Sequence, residues 1–357
     1  DAPEAFGELC VKHVNEVLPL IRALAQFPKS APRAERVQVA LFAKYAPFDA
    51  FTTARLGACP GAFAYLHHED PAKRAIAAFV LPAPPMLARL RHAAGDALLR
   101  LWIANPPRWL LTGLGECMEE LAVDAAGKPA FGFARGHLRD YRERVLSGDP
   151  PARLAVKDLI ALSGDEFEKK GLGAGLQAWA LVRYMLDEPM ARDAKLFPRL
   201  LARLDASADE AKNAKNAQDF FVEEEWDFLE KSLAKYLEGL PETPAEKTYL
   251  KAQELLKQHQ WPEAQKFLEA ALKADPGYER LHYCLALSRY KQGLHGEALP
   301  ALDKALLLFP EYHAARFLRG RVRAALGDRD GARKDFEILL TTTYADFAKK
   351  DLEALAK

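Results

Sequence analysis

The sequence predicts a mostly helical α+β protein, with a small sheet and a helical domain followed by an α-solenoid. Three observations lead to this fold class. Apolar residues recur at helical spacing through much of the 357-residue chain. Short β-rich stretches lie before the helix that starts near Arg89. From about residue 245 a 34-residue period sets in. We expect a sheet-containing subdomain at 1–88, a helical subdomain at 89–240 and the solenoid at 245–357.

Charge and hydropathy argue against two classes of protein, nucleic-acid binders and membrane-spanning proteins. Lys plus Arg and Asp plus Glu each total 50, so the formal net charge is zero. Nucleic-acid binders usually carry a basic excess, and we therefore expect no nucleic acid partner. The longest apolar stretch, residues 75–90, is interrupted by three prolines and Arg89. It is too short and too broken to span a bilayer, so no membrane span is expected.

The N-terminal third alternates helices with short strands. Residues 6–24 carry an amphipathic helical pattern and residues 45–56 a short helix. Residues 37–42, 62–66 and 75–81 alternate or are β-rich, which predicts three strands, the last two joined as a hairpin.

Residues 89–120 predict two helices separated by a sharp break. Asn105-Pro106-Pro107 must end the first helix, because proline cannot continue a helix and restricts the residue before it. The first helix carries His92 and Asp96, four residues apart and therefore on one face. Thr112 and Glu116 have the same spacing on the second helix.

This helix pair resembles the core of a gluzincin-type zinc peptidase. It is most similar to a bacterial peptidase-domain family of unassigned function that often carries tetratricopeptide repeats. The family pattern is R-H-E-x-x-H, a short loop, and then P-x-W-L-x-E-G-L-A-E-Y. The matching residues are Arg91, His92, Pro107, Trp109, Leu110, Gly113, Leu114 and Glu116. A later family helix is matched by Gln177, Trp179, Ala180, Leu181 and Val182.

The residues that carry the family's chemistry are mostly replaced. Ala93 stands at the position of the general-base glutamate, Asp96 at the second histidine and Thr112 at the third ligand. A zinc peptidase needs three protein ligands and a base for the bound water. We therefore expect a catalytically inactive peptidase-like domain that holds no metal and no cofactor.

An alternative keeps a metal at the same place. His92, Asp96 and Glu116 could converge on zinc or another divalent ion, which would make the protein a metal-dependent hydrolase with altered ligands. A simpler arrangement has His92 hydrogen-bonded to Asp96, with Glu116 paired to an arginine such as Arg91.

The rest of the second region predicts helices joined by loops. Helices are expected at 155–162, 176–186, 197–204 and 220–237, and Ser163 with Glu166 fits a capping box. Residues 123–129 predict a turn and the glycine-rich residues 171–175 a loop. The polar residues 213–218 predict a mobile segment.

The C-terminal period resembles the tetratricopeptide repeat. Ala264, Ala298 and Ala332 are 34 residues apart, and Pro276 and Pro310 share the interval. Small alanines let two helices approach closely, and proline ends the second helix. The third copy has Tyr344 where proline is expected, and residues 345–355 predict a capping helix.

Solenoids of this kind commonly bind a peptide or a protein on their concave face. The candidate groove residues are Lys251, Gln258, Tyr283, Arg289, Tyr290, Arg316, Arg319 and Arg323. Three of them, Arg316, Arg319 and Arg323, form a basic row that suits an acidic segment. The other interpretation is a solvated face with partners at i and i+4. The sequence thus predicts a protein-interaction scaffold.

The sequence leaves the cellular compartment of the protein open. The chain begins at Asp1 without methionine, which is compatible with upstream processing. The family resemblance favours an exported or periplasmic protein over a cytoplasmic one.

Overall fold

The computed structural model describes most of the chain. The described residues are 4–27, 38–42, 45–56, 63–66, 74–79, 83–132, 136–146, 153–222, 225–241, 244–274, 276–309, 312–342 and 344–356. The chain forms two compact units. The first unit comprises residues 1–80 and 86–242, and the repeat unit comprises residues 81–85 and 243–357. The expected division of the first unit at residue 88 stays a prediction.

The first unit contains a three-stranded sheet made of β1 (Gln38–Phe42), β2 (Phe63–Leu66) and β3 (Ala75–Phe79). Its order is β1-β3-β2, with β1 parallel and β2 antiparallel to the central β3. Small residues suit a strand covered on both sides, and Ile76 and its alanine neighbours are buried. The predicted strands and the antiparallel pairing of the last two are confirmed, while the residues that join them lie outside the described ranges.

Helices make up most of the first unit. They are α1 (Glu4–Leu24), α2 (Tyr45–Leu56), α3 (Ala83–Trp102), α4 (Arg108–Glu119), α5 (His137–Asp140), α6 (Val156–Ala161), α7 (Gly164–Asp187), α8 (Pro189–Asp193), α9 (Leu196–Leu201), α10 (Glu210–Gln218) and α11 (Glu225–Gly239). A π-helical stretch, Tyr141–Leu146, follows α5. The apolar core centres on α4 and α7, which pack along their length through Trp109, Trp179 and their neighbours.

Two expectations for this unit were wrong. Residues 171–175 are not a loop but part of α7, which is kinked at Gly171 (φ 57°) and continues because its next turns pack into the core. The turn expected at residues 123–129 is confirmed, and two strands that the sequence did not predict, β4 (Leu121–Val123) and β5 (Pro129–Phe131), pair on either side of it.

The segment 213–218 forms the second half of α10 and is not a mobile polar stretch. Asn213 is fully buried and donates to the backbone carbonyls of Asn105 and Asp205, each at 3.0 Å. Its side-chain oxygen accepts from the Asp205 amide at 2.8 Å. The polar residue is therefore structural, since a buried amide is stable only when it is hydrogen-bonded.

The repeat unit consists of paired helices. They are α12 (Pro244–Lys257), α13 (Trp261–Ala274), α14 (Glu279–Lys291), α15 (His295–Leu308), α16 (His313–Ala325), α17 (Arg329–Ile338) and the final α18 (Ala345–Ala356), with a 3-10 turn at Leu339–Thr341. Ala264, Ala298 and Ala332 are completely buried, as the close-approach argument requires. The 34-residue repeat and the closing helix are confirmed.

Candidate functional site

A group of ionisable side chains lies between α3, α4 and α5 in the first unit. This polar cluster consists of His92, Asp96, Glu116, Glu119, Glu120 and His137. Glycine makes the close approach possible. A Cβ atom on Gly115 would lie 2.3 Å from His92 Nε2, and one on Gly113 would lie 2.5 Å from the Ala178 carbonyl oxygen in α7. Larger residues at either position would push the helices apart.

His92 is held by a carboxylate that the sequence did not single out. The His92 side chain is 11% exposed, and its Nδ1 lies 2.9 Å from Glu119 Oε1. Arg89 donates to the same oxygen at 2.7 Å. Burial disfavours the charged imidazole, but the negative charge of Asp96 and the hydrogen bond to Glu119 outweigh it and raise the pKa of His92.

Asp96 lies on the other edge of the His92 ring. Its Oδ2 is 3.9 Å from His92 Nε2, which is too long for a hydrogen bond. Its Oδ1 is buried and has no hydrogen-bond partner among the described residues. Burial raises the pKa of Asp96 to about 6, although the positive charges of His92 and Arg100 oppose the shift.

His137 joins two carboxylates of α4. Its Nε2 is 2.8 Å from Glu116 Oε2, and its Nδ1 is 2.7 Å from Glu120 Oε1. The ring stacks on Trp179 at a centroid distance of 5.2 Å. Burial opposes the charged form, but the hydrogen bonds to Glu116 and Glu120 prevail and raise the pKa of His137 well above its usual value.

The network continues into α7 and α11. Glu120 also pairs with Arg183, which contacts Asp187 at 3.3 Å, and Tyr236 donates to Asp187 at 2.6 Å. Sequence reasoning missed Glu119, Glu120 and His137. A signal was present, because three carboxylates at the C-terminal end of a helix oppose its dipole and need nearby cations.

The zinc centre that the resemblance implies does not fit these residues. Ala93 is fully buried and has no group that can take a proton. Thr112 is half-buried, and Asp96 does not reach hydrogen-bond distance of His92. Glu116 accepts from His137, while Arg91 donates to the carbonyl oxygens of Met118 and Glu119 at 3.2 and 2.6 Å.

A different set of possible ligands does come together. One ligand atom from each of His92, Glu116 and Glu119 lies within 4.8 Å of the others. Glu119 thus takes the place that the sequence gave to Asp96 in the candidate set His92, Asp96 and Glu116.

The first helices of the repeats form a continuous surface. Helix α14 contacts α12 and α16, and α16 contacts α18. We call the aromatic and basic side chains along these helices the first-helix face. Its members are Tyr249, Arg280, Tyr283, Tyr290, Phe317, Arg321 and Phe347. Arg280, Tyr283 and Tyr290 share one side of α14 because they are three and seven residues apart.

Ring contacts hold several side chains of this face in place. The rings of Tyr283 and Tyr312 are 5.1 Å apart, and the Arg280 guanidinium lies 5.9 Å from the Tyr249 ring. Phe317 lies 6.0 Å from Phe347, which is 59% exposed. The face therefore combines fixed aromatic rings with one open apolar side chain.

The arginine row has partners on a second helix. Arg319 makes two hydrogen bonds to Asp335, at 2.6 and 2.9 Å, and Arg323 donates to the same carboxylate at 2.9 Å. Arg316 lies 3.7 Å from Asp335, which is 1% exposed. Asp335 is 12 to 19 residues from the three arginines, so these contacts are not the i,i+4 pairs of a solvated face. Binding of an outside partner by this row stays a prediction.

The other predicted groove residues are also engaged within the repeat unit. Arg289 donates to Glu269 at 2.9 Å and to the Glu297 carbonyl at 3.0 Å. Gln258 donates to Glu254 at 2.7 Å, and the Lys251 ammonium lies 4.7 Å from the Phe267 ring.

Comparison with known proteins identifies the class of the repeat unit. The family model for the tetratricopeptide repeat matches residues 249–306 and 283–346. The C-terminal region is therefore an array of tetratricopeptide repeats. No helix of the described residues is both long and apolar enough to cross a membrane. No curated protein matched the sequence.

Three solved structures are similar to parts of the chain. The first tetratricopeptide domain of Spaghetti (RPAP3), bound to the HSP90 peptide SRMEEVD, is 24% identical with a TM-score of 0.30, over 31% of this chain and 90% of that one. PcrH with the chaperone binding region of PopD is 25% identical with a TM-score of 0.31, over 33% and 95%. A TPR2AB domain–pHSP90 complex of yeast Sti1 is 17% identical with a TM-score of 0.29, over 76% and 93%.

Proposed function

We propose that this protein is an interaction component whose repeat unit binds an extended segment of another protein. The observation that carries the proposal is the match of residues 249–346 to tetratricopeptide repeats, together with the first-helix face. Repeats of this type stack into curved arrays with an extended binding surface.

The first-helix face favours apolar contacts over a purely acidic ligand. Tyr283, Tyr290 and Phe317 are half-buried, so their rings are already held in place. Rigid aromatic side chains give large contact area at low entropic cost, and they dominate many interfaces. The arginines of the row, by contrast, already share the buried Asp335. We therefore place the ligand's apolar side chains against the tyrosines and Phe347.

We also propose that the first unit has no peptidase activity. The support comes from Ala93, which is buried where the resemblance calls for a base, and from Glu116, which is engaged by His137. The alternative of a hydrolase using His92, Asp96 and Glu116 has less support, since Asp96 is 3.9 Å from His92 and Glu116 accepts from His137.

Site-specific photo-crosslinking tests the binding proposal. A photoreactive amino acid is placed at Tyr290 or Phe347 on the first-helix face and at Leu307, which is 46% exposed on the second helix α15. We expect a defined crosslinked partner from the first two positions and none from Leu307. The variants Tyr290→Ala and Phe347→Ala should weaken the captured complex, while Leu307→Ala should not. Equal crosslinking from all three positions would contradict the proposal.

A peptidase assay tests the second proposal. The full chain, with and without added zinc, should leave an unstructured protein substrate intact. Cleavage that a chelator abolishes would favour the hydrolase instead.

A further inference from the structure

The polar cluster offers more than a set of structural ion pairs, and it supports an inference beyond the proposed binding function. His92 approaches Glu119 through Nδ1, at 2.9 Å, while its Nε2 edge faces Asp96 and Gly115. Glu116 completes a set of three ligand atoms within 4.8 Å. We propose that the first unit binds one divalent transition-metal ion on His92, Glu116 and Glu119, at the Nδ1 edge of the imidazole.

The distances suit a shared ion. Nitrogen and oxygen ligands bind such ions at about 2.0–2.2 Å, so two neighbouring ligands of one ion lie roughly 3 Å apart. The Nδ1 to Oε1 distance already has this value. Small shifts of Glu116 would bring the third ligand to the ion. One imidazole nitrogen with two carboxylate oxygens is a donor set for Zn²⁺, Mn²⁺ or Fe²⁺.

The charges suit it as well. Glu116 and Glu119 together carry two negative charges, which a divalent ion would neutralise. Arg89 contacts Glu119 at 2.7 Å and competes for that oxygen. Its side chain is 26% exposed, so it can turn towards solvent when an ion binds. The Glu116 and Glu119 side chains are 27% and 16% exposed, so they need positive charge nearby, and a bound ion supplies it in place of Arg89.

The neighbouring groups suit the role of a supporting layer. His137 donates to Glu116 and Glu120, and this contact fixes the orientation of the Glu116 carboxylate. Asp96 lies 3.9 Å from the opposite, Nε2 atom of the imidazole, so it stays outside the proposed ligand set. Ala93 provides no base, so the ion would connect α3 to α4 and would not activate a nucleophile.

Titration of the metal-free full chain with Co²⁺ and Zn²⁺ tests the site. We expect one equivalent of Co²⁺ to bind and to show the visible absorption bands typical of a Co²⁺ ion with few ligands. Zn²⁺ should displace it. The same ion should raise the thermal unfolding midpoint. Absence of both signals at micromolar protein and hundredfold metal excess would overturn the proposal without any substitution.

Three variants locate the ion. Glu119→Gln and His92→Gln should each weaken Co²⁺ binding at least about tenfold, whereas Asp96→Asn should change it less than about threefold. Circular dichroism of each metal-free variant checks that it is folded. Binding that depends on Asp96 and not on Glu119 would place the ion at the Nε2 edge and overturn the assignment. Binding unchanged in all three variants would mean adventitious surface sites and would also overturn it. Partner crosslinking at Tyr290 is a separate readout, so this proposal and the binding proposal can fail independently.

Discussion

Both units bury charged side chains between paired helices, but they use different chemistry. In the repeat unit, Arg316, Arg319 and Arg323 surround Asp335, which belongs to α17. In the first unit, two histidines face the carboxylates of α4. Arginine stays charged at any accessible pH, whereas histidine titrates near neutrality. The repeat cluster therefore keeps its charge at any accessible pH, whereas the first-unit cluster can change its charge.

The strongest test of the repeat cluster removes the carboxylate that its three arginines share. Asp335→Ala leaves three arginines facing one another in a nearly buried site, and loss of one partner of a buried ion pair typically costs about 3–5 kcal/mol. Urea unfolding followed by circular dichroism measures the loss. Asp303→Ala is the matched control, because Asp303 also binds Arg319, at 2.8 Å, but is 49% exposed. It should cost no more than about 1 kcal/mol. Equal losses from the two variants would show that the cluster does not hold the repeat together.

Close approach of helices gives the next largest effect and concerns the first unit. In Gly113→Ala the new Cβ would lie 2.5 Å from the Ala178 carbonyl oxygen. Because this oxygen belongs to the backbone of α7, the two helices would have to move apart. Overpacking of this kind costs about 1–3 kcal/mol. Gly175→Ala is the control, because its Cβ would meet only the Thr112 side chain, at 3.9 Å. That variant should be neutral or more stable by about 0.5–1 kcal/mol, since alanine favours a helix. Thermal denaturation of both variants decides the matter.

Contacts of this kind show which parts of the structure could be predicted from the sequence. The repeats were predictable because a 34-residue period places small residues at helix crossings, and Ala264, Ala298 and Ala332 are indeed fully buried. The pair α3 and α4 was predictable because its two prolines and apolar stripes act locally. Local patterns of this kind can be recognised in a single sequence without knowledge of the fold.

The polar cluster was only half predictable, because its contacts join distant segments. His92 and Glu116 were named from a motif, but His137 lies 21 residues beyond Glu116 in a stretch without periodicity. The burial of Asn213 was unpredictable for the same reason. A polar residue in a polar segment does not reveal that its side chain donates to the distant Asn105 carbonyl. The arginine row was visible as helical spacing, whereas its partner Asp335 depended on the packing of α17 against α16.

The first-unit cluster contains histidines and the repeat cluster arginines, so we expect stability to depend on pH in the first unit. Because the pKa of His137 is raised in the folded protein, its contribution is fully present below the unfolded value of about 6.5. The contribution is then lost as pH rises through the folded pKa. With a chelator present, we expect the first unit to become less stable from about pH 6.5 upwards, and His137→Gln to flatten this slope. The repeat unit should show no such slope.

Tryptophan fluorescence can follow the two units separately. Four of the five tryptophans belong to the first unit, and Trp261 lies in the repeat unit. In Trp261→Phe the signal reports the first unit alone, while circular dichroism reports both. A first unit whose stability rises between pH 6.5 and 8.5 would contradict the assignment of a raised pKa to His137.

The smallest expected effect is one that should be the same in both units. Ser163 caps α7, where its hydroxyl accepts from the Glu166 amide at 3.3 Å, and Asp328 caps α17 by accepting from the Gly331 amide at 2.9 Å. Each replacement by alanine should cost about 1 kcal/mol, because one helix-end amide loses its partner. Neither cap contains a histidine, so both losses should be constant from pH 6.5 to 8.5 in urea titrations. If the Ser163→Ala loss followed pH as steeply as the wild-type first unit does, the slope would come from a general weakening of that unit and not from His137.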